Sequence, residues 1–331
     1  MSSIPPRPVK ILFVTSTRIG DAVLSTGLLS YLMERHPDAQ VTVACGVLPA
    51  PLFAPAPGVV RVIPVTKRAL SAHWLRLWGQ VAGTAWDLVV DLRGSALAWL
   101  LAARARKVWR AHRASGCKVE ALGRLLDLDP PPAPVLWTTP AHDDAAARAI
   151  PAGGPVLALG PSANWGPKTW PAERFTELLD RLTGAGGIMP GARIAVFGGP
   201  GERDGIAPVL AAIPQARRID LVGTLDLVTV AAALRRCAFY VGNDSGLMHM
   251  AAATGIPTLG LFGPSRPALY APWGAHCAVA ATEIPFETLV GAPGFDYGAT
   301  DNLMVSLTID AVEAAARALH ARINKGLTAA P

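Results

Sequence analysis

The chain has 331 residues, 51% of them hydrophobic and only 16% charged, a balance that excludes disorder and calls for two cores rather than one. The formal net charge of +6 suits an anionic substrate or an anionic membrane surface, whereas the sequence carries no nucleic-acid-binding motif and its tryptophans do not interleave with a basic stripe, so nucleic acid is not an expected partner. The four cysteines and seven histidines are scattered singly, so neither a metal centre, a redox motif nor any cofactor is expected, and the cysteines read as reduced, buried apolar residues.

In chain order, an apolar run over 10–15 suits a parallel strand buried on both faces. The loop Arg18-Ile19-Gly20-Asp21 follows, then a helix over 22–35 carrying Leu24, Leu28, Leu32 and Met33, then a strand over 41–45. That βαβ unit opens a doubly wound sheet. A strand over 59–65, a helix over 70–81, a strand over 87–92 and a helix over 95–104 continue it. Leu70, Trp74, Leu77, Trp78 and Val81 form a stripe along the second of those helices; a crossover helix needs such a stripe to face its core, and a membrane-docking face would look the same. Prolines crowd residues 127–155, with Gly153-Gly154 near the end, and mark a linker holding a short helix at 142–149.

A second series follows: strand 156–160, helix 172–182, strand 193–197, helix 202–212, strand 218–221, helix 227–235, strand 237–241, an Ala-rich helix, and strand 258–262. The economical reading is an α/β protein of two Rossmann-like domains, 1–150 and 151–331, with a last amphipathic helix over 309–323 packing back across the first domain. The longest apolar run, 247–263, contains His249, Gly255 and Pro257 and reads as a buried helix turning into a strand, not a membrane span. Residues 1–8 hold no apolar signal core, so the expected location is cytoplasmic.

The most informative stretch is Gly242-Asn243-Asp244-Ser245-Gly246-Leu247-Met248-His249. A strand that ends in Asp-Ser-Gly and turns at once into a helix points unpaired backbone N–H groups outward, where they can receive a phosphate. Gly246 lets a ligand approach the backbone, Ser245 can cap the helix or donate to a phosphate oxygen, and His249 falls one turn further along the same face. A plain strand, cap and packed helix would also read this way. Ligands of open α/β sheets gather beyond the carboxyl ends of the strands, and two more loops leave such ends with polar chemistry: Gly20-Asp21, and the Gly- and Pro-rich 160–171 with its lone cation Lys168. Lys168 would neutralise charge growing on a phosphate leaving group, or else be a solvated lysine. Asp21, early on its helix, would be a proton acceptor or a simple complement to the helix dipole. Phe197-Gly198-Gly199-Pro200-Gly201-Glu202 lacks the full dinucleotide fingerprint; Glu202 would accept from a ribose hydroxyl or start a helix. Asp127-Leu128-Asp129 has the spacing of a transferase metal motif but stands at the start of the linker and is read as coincidence.

Taken together, Gly20-Asp21-x-Val23-Leu24-x-Thr26, Lys168-x-Trp170-Pro171, Phe197-Gly198-Gly199 and Gly242-Asn243-Asp244-Ser245-Gly246-x-x-His249 resemble glycosyltransferase family 9, the family of the lipopolysaccharide core heptosyltransferases. The match in order and spacing runs from Lys10 to about Trp273. The resemblance implies a GT-B fold, two Rossmann-like doubly wound domains facing across a cleft, with acceptor bound by the first and nucleotide sugar by the second. It implies an inverting, metal-independent transfer of heptose from ADP-heptose to a lipid A-core acceptor, with Asp21 as general base and Lys168 on the phosphates. Ser162, Glu202, Asp244, Ser245, Gly246 and His249 are the implied donor-binding residues. Arg18, Arg61, Lys67, Arg68 and Arg93 would meet the anionic acceptor, and the basic run 104–113 would touch the anionic inner leaflet or be a solvated helix end. Another nucleotide sugar as donor, or a catalytically silent sugar-nucleotide-binding partner protein, are the alternatives. The region 276–302 and the Trp74/Trp78 helix depart from the family pattern.

Overall fold

The computed structural model describes residues 7–66, 72–110, 116–291, 294–296, 298 and 302–328. Lys67, Arg68, Leu70 and Arg113 lie outside the described residues, as does most of the segment 1–8. The chain forms two compact units, Met1–Trp137 and Thr138–Pro331.

The first unit contains β1 (Lys10–Val14), α1 (Ile19–Arg35), β2 (Gln40–Gly46), β3 (Val59–Val65), α2 (Ala72–Val81), β4 (Trp86–Asp91), β5 (Ala103–Val108) and α3 (Lys118–Leu125). Its strands form a parallel sheet of order β3-β2-β1-β4-β5. The unbroken apolar run of β1 puts it at the centre, with Ile11, Leu12 and Phe13 fully buried. The chain builds outward from β1 to β3 and then returns to the other side of β1, which leaves a topological switch point at the carboxyl ends of β1 and β4.

The second unit contains α4 (Pro140–Ala149), β6 (Val156–Gly160), α5 (Ala172–Thr183), β7 (Arg193–Gly198), α6 (Arg203–Ala212), β8 (Arg218–Val222), α7 (Leu227–Leu234), β9 (Phe239–Asn243), α8 (Gly246–Ala253), β10 (Thr258–Phe262), the single turn α9 (Pro267–Tyr270), β11 (Cys277–Ala281), the single turn α10 (Phe286–Leu289) and α11 (Ile309–Thr328). Its parallel sheet has the order β11-β10-β9-β6-β7-β8. The same reversal puts a second switch point at the ends of β6 and β9. Trp170 and Phe175, both fully buried, meet edge to face at 5.0 Å within this core.

Several expectations are corrected. The helix after β1 begins at Ile19, three residues early, because Arg18 already has the extended backbone of a cap residue; Asp21 is therefore in its first turn and not in a loop. Residues 95–104 are not a helix. A 3-10 turn, Ala96–Trp99, leads into edge strand β5, and Arg106 of that strand donates to the carbonyls of Ala98, Leu101 and Ala103. Strand β11 and helix α3 arise where the sequence suggested no element. The division falls at 137/138, not at 150/151, because α4 packs on α7. Helix α11 does not carry its apolar face to the first domain: Val312, Ala316 and Leu319 are fully buried in the core of the second unit.

In α2, Leu77 and Val81 are buried and Trp74 packs against the same core, as a crossover helix requires. Trp78 is half exposed, its indole N–H donating to the Leu100 carbonyl at 3.2 Å, and Leu75 is exposed. No helix among the described residues is long and apolar enough to cross a membrane. All four cysteines are free thiols; Cys45 and Cys237 are buried, while Cys117 and Cys277 are partly accessible.

Candidate functional site

In the second unit the site is built at the β6/β9 switch point. β9 ends at Asn243, which is fully buried: its Oδ1 accepts the Trp170 backbone N–H at 3.1 Å and its Nδ2 donates to the Pro161 carbonyl at 2.8 Å. Trp170 is anchored at its other end by its indole N–H, which donates to the Leu307 carbonyl at 2.9 Å. The Gly- and Pro-rich loop is thereby pinned to the end of β9, and its 3-10 turn, Gly166–Lys168, presents the lysine. Nζ of Lys168 lies 2.5 Å from Oδ2 of Asp244, with the carboxylate 9% exposed and the ammonium group's side chain 21% exposed. One residue on, Ser245 is the cap residue of α8, yet its hydroxyl makes no capping hydrogen bond to the helix it starts. Gly246 begins that helix, and His249 is buried one turn inside it.

The neighbouring strand end, that of β7, supplies Glu202. Its Oε2 accepts from the Ser162 hydroxyl at 2.9 Å and from the Gly199 N–H at 2.6 Å, joining the loops after β6 and β7. The loops of three adjacent strands, β9, β6 and β7, thus carry all the expected donor-side residues: Lys168, Asp244, Ser245, Gly246, His249, Ser162 and Glu202. A cation held in place, an uncapped helix start and an acid linked to a hydroxyl suit a nucleoside diphosphate. Asp244 is coupled to Lys168, a link the sequence spacing does not reveal.

In the first unit, Asp21 is half-buried in the first turn of α1, with the Ser16 hydroxyl 3.5 Å from its Oδ2. The other side of that switch point is shaped by Asp91, which is fully buried and accepts the N–H of Arg93 at 2.8 Å and the N–H and hydroxyl of Ser95 at 2.9 and 2.6 Å. Burial raises the Asp91 carboxyl above its ordinary range, and the Ser95 and Arg93 hydrogen bonds oppose that. Arg93 is exposed on the turn so formed. Lys118, at the start of α3, stacks its ammonium 4.1 Å over the Trp109 ring; burial pushes its amine down, Asp21 pulls it up and Arg93 adds to the fall. Lys118 is therefore within electrostatic reach of both Asp21 and Arg93. Spacing alone carried no signal for Lys118, whereas an Asp at a strand end followed by Arg-Gly-Ser is a turn signal that could have flagged Asp91.

The remaining basic residues divide. Arg18 is exposed just before α1. Arg61 is engaged by Gln80, donating to its carbonyl and side-chain oxygens at 3.2 and 3.0 Å. In the basic run, Arg104 lies 3.6 Å from Asp87 and Lys107 2.7 Å from Asp127, so these residues belong to an edge strand and not to a helix end. Among the described residues no three His, Cys, Asp or Glu side chains converge as a metal site would require.

Two all-parallel Rossmann-type units, the second with polar loops and a helix start gathered at its switch point, define a protein of the GT-B class. Residues 118–286, just over half of the chain, match the model of glycosyltransferase family 9 (heptosyltransferase), and the chain belongs to that family. Lipopolysaccharide heptosyltransferase 2 of Salmonella typhimurium is 27% identical over 301 residues, covering 78% of this chain and 84% of that protein. Two solved structures share the fold: a family 9 glycosyl transferase from Veillonella parvula, with a TM-score of 0.76 at 21% identity over 97% of this chain and 99% of that one, and the E. coli ADP-heptose LPS heptosyltransferase II, with a TM-score of 0.72 at 20% identity over 96% of this chain and 100% of that one.

Proposed function

We propose that this protein is an inverting glycosyltransferase that moves heptose from ADP-heptose to the inner core of lipopolysaccharide. The observation that carries the reading is the pairing of Lys168 with Asp244 beside the uncapped Ser245, a preformed clamp for a diphosphate leaving group at the β6/β9 switch point. Asp21 takes the proton of an acceptor hydroxyl, whose oxygen attacks the anomeric carbon as the bond to the diphosphate oxygen breaks. The electron pair leaves with the diphosphate, where Lys168 and the N–H groups at the start of α8 balance its charge, so the mechanism draws its positive charge from the chain itself and calls on no metal. Single displacement inverts the anomeric centre.

On the acceptor side, the reading assigns Arg18, Arg93 and Arg61 to the anionic saccharide, and a lipid-anchored acceptor would draw the protein to the cytoplasmic face of an anionic inner membrane. The relatives named for heptosyl transfer, together with the chemistry of the clamp, support this donor and acceptor class.

The test is release of nucleoside diphosphate from ADP-heptose, UDP-glucose and GDP-mannose, each with and without a truncated lipid A-core acceptor. Acceptor-dependent ADP release from ADP-heptose alone is the expected result. Turnover of a different donor would assign another transferase, and binding without any turnover would assign a silent partner protein.

A further inference from the structure

Tyr240, in β9, is fully buried. Side chains alternate along a strand, so Tyr240 and Gly242 share a face, and the register sets Ala158 beside Tyr240 and Gly160 beside Gly242. A Cβ on either Gly160 or Gly242 would collide with the tyrosine hydroxyl. The ring therefore runs along the sheet towards the carboxyl ends of β6 and β9, over two glycines that leave it room, while Leu247 of α8 comes within 3.0 Å of the Cβ position at Gly160. Adjacent glycines on paired strands forgo side-chain packing, a cost borne here in the centre of the sheet.

The hydroxyl ends beneath the first turn of α8. Among the described residues it makes no well-formed hydrogen bond, although the Ser245 side chain lies beside it. Buried hydroxyls without partners are rare, and one aimed at a helix start points to a ligand-linked role. Burial, opposed by Ser245 and reinforced by the charges of Glu202 and Asp244, drives this phenol far above its usual range, so it stays protonated and acts as a donor.

We propose that Tyr240 is a positioning residue for the diphosphate clamp: when a diphosphate binds, its unpartnered hydroxyl donates to Oγ of Ser245, which turns the serine proton outward onto a phosphate oxygen. Ser245 is available for this because it does not cap its own helix. The inference rests on the reading of the α8 start as a diphosphate clamp, and the experiment separates the two.

ADP, UDP, GDP and inorganic pyrophosphate are titrated calorimetrically against the wild-type protein, and the tightest-binding probe is then measured with Tyr240→Phe, Ser245→Ala and the double variant, with Tm recorded for each. Tyr240→Phe should weaken binding about three- to tenfold, as loss of one hydrogen bond does, without lowering Tm. The double variant should bind no more weakly than Ser245→Ala alone, because the tyrosine acts through the serine. In turnover, Tyr240→Phe should raise the donor KM and leave kcat within about twofold. Wild-type affinity in Tyr240→Phe beside a weakened Ser245→Ala would overturn the inference and spare the clamp. Losses that multiply in the double variant, or a fall in Tm that accompanies the affinity loss, would make the tyrosine merely structural and overturn it too. Unchanged affinity in Ser245→Ala, or no binding of any probe, would bring down the clamp and the inference together.

Discussion

Nζ of Lys168 and Oδ2 of Asp244 stand 2.5 Å apart and tie the loop after β6 to the first residue beyond β9. The pair fixes a flexible lysine on one side of an uncapped helix start, so the cation would not have to be recruited from solvent by the proposed diphosphate. It also makes the two residues interdependent, since a carboxylate that is 9% exposed tolerates the loss of its partner poorly.

Lys168→Ala should therefore do two separable things. Affinity for a nucleoside diphosphate should fall about 10- to 100-fold, the range expected for a lost charge-assisted hydrogen bond, and Tm should fall because Asp244 is left unpaired. Adding Asp244→Asn should restore most of the Tm without restoring affinity. Calorimetric titration and thermal melts of the two variants check this; full recovery of affinity in the double variant would remove Lys168 from the clamp.

Asp21→Ala should abolish transfer, with a loss of at least about 100- to 10,000-fold if it is the general base, while nucleoside diphosphate binding is retained. Initial rates and equilibrium titration on the same preparation make the comparison. Turnover near wild type would assign the proton transfer elsewhere.

Asn243→Ala should cost about 2 kcal/mol or more, because it leaves the Trp170 N–H and the Pro161 carbonyl unpaired in a buried place. The denaturant midpoint reports that loss. The same variant should weaken diphosphate binding although Asn243 points into the protein, since the loop carrying Lys168 hangs from it.

At low pH the relevant group is Asp87. The Lys10 N–H and the Arg7 guanidinium hold its carboxyl below its ordinary value. With the folded value below the unfolded one of about 3.9, its contribution to stability is complete above that pH and is lost as pH falls through the folded value. Asp87→Asn should melt below wild type at pH 6, and the gap between the two should narrow steadily on acidification below about pH 4. A gap independent of pH would show that Asp87 contributes packing and not charge.

The alternation of buried strands and helices was legible in the sequence because both sheets are parallel and their central strands are continuous apolar runs. The grouping of Asp244, Ser245, Gly246 and His249 was legible because they share one short strand-to-helix stretch, and Lys168 stands alone as the cation in its loop, whereas the pairing of Lys168 with Asp244 was not. Less legible was anything set by contacts distant in sequence. β5 reads as helix because an edge strand need not be apolar, and its Arg106 is satisfied by carbonyls that only the fold supplies. Proline density marks irregular backbone but not where contacts divide, so the sequence points to a boundary after α4 while the contacts put it before that helix. Lys118 reaches the vicinity of Asp21 through α3 packing against α1, which no spacing encodes.

The space over Gly160 and Gly242 that the Tyr240 ring fills also orders the substitutions this lineage can accept. Gly160 cannot acquire a side chain while the tyrosine is present, whereas the tyrosine can shrink first and leave a gap that a later alanine closes; Gly242 stays barred either way, because the Gly160 carbonyl oxygen lies 2.6 Å from its Cβ position. Positions 240 and 160 should therefore drift as a pair, with position 240 moving first, and homologues that have lost the aromatic ring are where a non-glycine residue at 160 should be found while 242 remains glycine.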